Sequence, residues 1–145
     1  MLINTPIRLQ AFLEARGHAP HLSANSVCIT VGDADAPHTA AFTFLENELR
    51  ITCQIAVLGD FAENQLAHFC LAALDANMQI SPYAFAIIGA SEGESEVSHC
   101  PVVLTDTLLT EDLNDVEIAF SLDKLLEALT HGKDIIAAGH APAAH

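Results

Sequence analysis

The sequence predicts a single α+β domain of the order α-β-β-β-α-β-β-α, an antiparallel sheet with helices packed mainly on one face. Three observations carry this expectation. From Glu48 to Val57 apolar residues alternate with Arg50, Thr52, Gln54 and Ala56, and an amphipathic stretch follows to Asn77. Two further alternating segments precede this unit with short links, the pattern of an antiparallel meander. The chain has 145 residues, 51% of them hydrophobic, enough for one well-filled core and too short for two domains without strain.

The elements follow in order. Thr5 before Pro6 reads as an N-cap with proline in the first helical position; Leu9, Phe12, Leu13 and Arg16 share a face, and Gly17 stops the helix. His18 to Asn25 reads as a loop containing Pro20. Val27, Ile29 and Val31 mark the first strand, the 32–37 segment is a turn by composition, and Ala40, Phe42 and Phe44 mark the second. Glu46-Asn47 links it to the third strand at Leu49–Val57. Gly59 ends that strand, and Asp60 with Glu63 predicts a capping-box helix start. The helix stripe is Ala62, Leu66, Phe69, Ala73 and Asn77, flanked by Cys70 and Leu74.

Met78 to Pro82 reads as a connector, Tyr83 to Gly89 as a short fourth strand, and the acidic 91–96 segment as an exposed turn. A fifth strand runs from His99 to Leu109, with Pro101 suggesting an edge position or the strand's beginning. Thr110-Glu111-Asp112 opens a final helical region reaching about Leu129. Leu113, Val116 and Phe120 fall on one helical face there, and Ile118, Leu122, Leu125, Leu126 and Leu129 on the opposite one. A helix apolar on both sides is sandwiched or broken. Ser121 as a cap of a second piece, or a short strand over Val116–Phe120, are alternatives. The favoured reading is one long or kinked helix, partly buried against a second subunit, which makes Leu113, Val116 and Phe120 candidates for a dimer interface. The domain is placed at 1–136 and a low-complexity Ala/His tail at 137–145.

Charge narrows the function classes. Nineteen acidic residues oppose five basic ones, a formal charge of −14, and the cations are scattered. Such a field repels phosphate backbones and anionic membrane surfaces. Apolar runs stay far below the ~18 residues of a membrane span, and the first residues offer no secretory signal. Cys28, Cys53, Cys70 and Cys100 form no C-x-x-C pair and read as buried thiols of a protein in the reducing cytoplasm.

No catalytic motif emerges. Nucleophile elbow, P-loop and dinucleotide fingerprints are missing, and the eight histidines show no metal-ligand spacing. Glu92, Glu94 and Glu96 alternate, but their Ser and Gly neighbours favour a solvated turn over a cation site. Asp112 and Asp115 fit a helix start. No cofactor or metal is expected, and the chain is not expected to be an enzyme. Arg50, Thr52 and Gln54, on the polar face of the third strand, are the candidate partner-binding residues. That face, or an open strand edge, suits an extended peptide, although an ordinary solvated sheet face has the same pattern.

The blocks Glu46–Val57, Leu66–Leu74, Gln79–Ile87 and Val102–Leu104, with the acidic final helix ending Leu125-Leu126-Glu127-Ala128-Leu129, are arranged as in a known fold. Over about residues 26–130, in hydrophobic periodicity and element order, the chain resembles the type III secretion chaperone-like fold that includes YbjN-like proteins, and most closely the YjfI-like bacterial family. The resemblance implies a small acidic cytoplasmic homodimer, chaperone-like or regulatory, that binds segments of other proteins and has no catalytic residues to transfer. The alternative is a small-molecule or metal-binding protein, conceivably an enzyme, using histidines assembled by the fold.

Overall fold

The computed structural model describes residues 1–89 and 96–140. The expected acidic turn falls outside the described residues apart from Glu96, as does the tail from 141 onward.

The N-terminal helix forms as its caps dictate. Helix α1 spans Pro6–Ala15, and the Arg8 amide donates to Thr5 Oγ1 at 3.2 Å. Leu9 and Leu13 are buried, and Gly17 takes the left-handed conformation at φ +91° that follows helix ends. The loop expected after it contains a strand. Strand β1 (His21–Ser23) pairs antiparallel with β2 (Ser26–Val31), turning at Ala24 with φ +52°. A three-residue strand with one apolar side chain is too short for alternation to register; only pairing with β2 reveals it.

Strand β3 (His38–Phe44) and β4 (Glu48–Val57) complete the meander, and the described residues form one six-stranded antiparallel sheet. Its order is β1-β2-β3-β4-β6-β5, with β5 at Ala84–Ile87 and β6 at Pro101–Leu109. The late strand β6 therefore lies inside the sheet, between β4 and β5. Pro101 begins it opposite Val57, so its missing donor costs nothing in mid-ladder. A register shift between Gln54 and Ala56 marks a bulge in β4. Ala56, in a polar-face position by simple alternation, is consequently buried with the core.

The central helix α2 spans Glu63–Ala76, later than expected, with Ala62 as N-cap. Asp60 serves a different turn: its carboxylate accepts the Val57 amide at 3.1 Å across the 3-10 segment Leu58–Asp60. Phe61 then stacks on Phe69, with ring centroids 4.1 Å apart. Phe69, Ala73 and Ala76 face the core, whereas Leu74, assigned to the buried stripe by spacing, is 65% exposed.

The last helix, α3, is continuous from Asp115 to His140 and overruns its expected end near Leu129. Asn114 caps it reciprocally: Asn114 Oδ1 accepts the Glu117 amide and Glu117 Oε2 accepts the Asn114 amide, each at 3.0 Å. The apparent two-sidedness is resolved in part by this start. Leu113 precedes the helix, its carbonyl accepts the Ile3 amide at 2.8 Å, and it is 1% exposed. Ile118, Leu122, Leu125 and Leu129 are buried, while Val116 and Phe120 remain exposed. Residues of all three helices join one core cluster with the inward side chains of the sheet, including Val27, Phe42, Ile51 and Leu104. The helices thus cover one face, and the other face is left open.

Candidate functional site

The open face is read from the strand register. Ser23, Ser26, Thr43, Arg50 and Thr107 form one row across it, and His21, Cys28, Ala41, Thr52, Thr105 and Ala84 form the next. Arg50, Thr52 and Gln54 lie together along β4 on this face, as the alternation predicts. The Arg50 guanidinium is committed to Glu48 at 3.0 Å. Because β3 and β6 flank β4 on both sides, these residues have no free main-chain edge beside them. An added strand must go to β1 or β5.

The β5 edge differs in kind from the open face. An apolar groove of about 180 Å³ runs between it and α2, lined by Phe69, Cys70, Ala73 and Leu74 on the helix, Phe85, Ala86 and Ile87 on the strand, and Val102 behind them. Asn77 Oδ1 accepts the Phe85 amide at 2.7 Å, satisfying one outward donor of the edge. Leu74 and Ile87, which line this groove, are exposed, as are Leu71, Met78 and Ile88. Exposed aliphatics lining a groove are characteristic of contact surfaces. The spacing places Leu74 beside the buried stripe and Met78 in a connector. Leu74 is nevertheless exposed on α2, and Met78 lies in the turn after the helix, where the connector is expected.

The three residues of the expected dimer face separate. Leu113 is corrected: it lies in the core and offers no surface. Val116 and Phe120 are 71% and 54% exposed, with Lys124 Nζ 5.5 Å from the Phe120 ring centroid. Among the described residues no three His, Cys, Asp or Glu side chains gather in a metal-binding group, and all four cysteines are free.

Sequence reasoning missed a buried polar chain. Tyr83, Ser121 and Asp106 meet between β6 and α3, all nearly inaccessible. Tyr83 Oη is 2.9 Å from Ser121 Oγ, which donates to Asp106 Oδ2 at 3.1 Å, while Asp106 Oδ1 accepts the Thr107 amide at 2.8 Å. Burial, partly offset by these hydrogen bonds, raises the Asp106 carboxyl above its ordinary value, and burial raises the Tyr83 phenol. Asp106 pairs with Ile51 on the core face of the sheet, so alternation in β6 would have found it. Every member has its partner. It fastens α3 to the sheet.

The fold has a counterpart among solved structures. YbjN from E. coli, described as a candidate transcription regulator, superposes with a TM-score of 0.64 over 97% of this chain and 96% of its own, at 10% sequence identity. The fold is YbjN-like. At that identity the similarity concerns the fold alone. No family model and no curated protein matches the sequence. No helix among the described residues is long and apolar enough to cross a membrane.

Proposed function

We propose that this chain is a non-enzymatic protein-binding module, chaperone-like or regulatory, whose groove between α2 and β5 receives an extended apolar segment of a partner protein. One observation carries the reading: an apolar groove opens alongside an edge strand, with Leu74 and Ile87 exposed in its lining. An extended segment laid there pairs with β5 through its main chain and places alternate side chains in the groove. The open β4 face with Arg50, Thr52 and Gln54 is a secondary contact, lacking both edge and concavity. YbjN's description as a regulator supports a role in control of other macromolecules. With a charge of −14, that control acts through protein contacts and not through the DNA backbone. The protein works as a homodimer in the cytoplasm, with Val116 and Phe120 of α3 in the subunit contact.

A photo-crosslinking amino acid placed singly at Leu74, Ile87 and Gln54 tests this in host cells. Crosslinks to the same partner segment from positions 74 and 87 are expected, with fewer from 54. Crosslinks from 54 alone would move the site to the open face. None from any position would end the protein-binding reading.

A further inference from the structure

A second concavity lies alongside the middle of α3. The β2–β3 turn leaves β2 at Gly32, which adopts φ +90°, and folds over the helix around Leu126, Leu129 and Lys133. Between turn and helix is a cleft of about 450 Å³, within the range of roughly 300–1,000 Å³ usual for small-molecule sites. Its wall is apolar at Ala36, Leu126 and Leu129. Leu126 is 49% exposed although Leu122, Leu125 and Leu129 beside it are buried. Its polar groups are His38, Asp33, Thr130, Lys133 and Asp134. Two carboxylates against one ammonium make the lining acidic, inside a strongly acidic protein.

The cleft displays its own ligand chemistry. Lys133 Nζ rests 2.8 Å from Asp33 Oδ2, an alkylammonium seated on the carboxylate at the mouth. Both groups are exposed, so this ion pair is weak and exchangeable. A free alkylammonium can take the same position, and an aliphatic body attached to it would cover Leu126. An anion would meet two carboxylates for each ammonium.

We propose that the cleft between the β2–β3 turn and α3 binds a small aliphatic amine, with Asp33 and Asp134 receiving the ammonium, Leu126 and Leu129 contacting the carbon chain, and Lys133 acting as the internal competitor that the ligand displaces. The site is separate from the groove between α2 and β5 and does not depend on it.

The test is titration of the full chain, labelled for amide-correlation NMR, at physiological ionic strength. Cadaverine is the probe; pentanediol and glutarate share its carbon count and differ in charge. Saturable shifts at Gly32, Asp33, Thr130 and Lys133 with cadaverine alone are expected. Because both charged partners are exposed, their replacement leaves the fold intact, and the unchanged remainder of each spectrum verifies this. Asp33→Asn is expected to weaken binding about 2–5-fold, and Lys133→Met to strengthen it by a similar factor, the range of an exposed ion pair. Non-saturating shifts spread over the acidic surface, an equal response to pentanediol or glutarate, or weaker binding by Lys133→Met would each overturn the proposal.

Discussion

Tyr83 Oη and Ser121 Oγ lie 2.9 Å apart inside the core, joining the segment before β5 to the second turn of α3. Since Ser121 gives its proton to Asp106, Tyr83 is the donor to Ser121. The chain runs in one direction, from phenol to hydroxyl to carboxylate. Removing its middle strands the most costly end. Ser121→Ala leaves a buried carboxylate oxygen without its donor and is expected to destabilise by about 2–3 kcal/mol, whereas Tyr83→Phe removes a single hydroxyl and costs about 1 kcal/mol. Urea unfolding of both single variants and the double variant measures this; a double variant no worse than Ser121→Ala alone confirms that the links form one unit.

The same carboxylate sets a pH dependence. Burial raises the folded-state pKa of Asp106 above its ordinary 3.8. Between the unfolded and folded values the native state holds more of this proton, so its contribution to stability falls as pH rises through that window. Above the folded value the loss is complete and constant. Asp106→Asn removes this contribution, and its stability difference from wild type should grow in its favour from pH 4 upward before levelling, as followed by thermal unfolding at stepped pH. A difference independent of pH would show that Asp106 titrates normally.

Two glycines should respond oppositely to alanine. A Cβ on Gly59 would sit 2.8 Å from the Ser98 carbonyl oxygen, a backbone atom that cannot step aside cheaply. Gly59→Ala is expected to destabilise by about 1–3 kcal/mol. At Gly132, inside α3, the new methyl would stand 3.5 Å from Ile55 Cδ1 in ordinary contact. Gly132→Ala is expected to stabilise by about 0.5–1 kcal/mol through helix propensity. Denaturant midpoints at constant slope distinguish the two.

Cysteine reactivity should divide by burial. Burial pushes the Cys53 thiol up to about 11, and Cys100 is likewise enclosed, while Cys28 and Cys70 are half-buried. In the native protein a thiol reagent is expected to modify Cys28 and Cys70 first and to reach Cys53 and Cys100 only on unfolding. Peptide mapping after timed alkylation identifies the order; rapid native labelling of Cys53 would contradict the packing of β4 against the helices.

Local rules and packing compete at several points of the chain. Thr5, Pro6 and Gly17 act through neighbouring backbone, and α1 forms as they dictate. Asp60 has the right spacing for a helix cap but finds the Val57 amide first, so α2 begins at Glu63. Ala56 changes face because the bulge adds one residue to β4, a shift invisible to a period of two. Of the residues singled out for contact, Arg50, Thr52 and Gln54 lie on the outer face as alternation requires, and Leu113 does not lie on α3 because Asn114 starts that helix after it.

By itself the sequence determined the α+β class, the meander, the chain order of all α-helices and strands but β1, and a net charge hostile to phosphate, because these depend on residue periodicity, caps and charge count. Only the tertiary structure decided that β6 would insert between β4 and β5, that Tyr83, Ser121 and Asp106 would share one buried chain, and that α2 would leave an apolar groove beside β5. Those outcomes depend on the registers and tilts at which distant segments bury the most apolar surface while satisfying their polar groups, a balance that exists only once the whole chain is assembled.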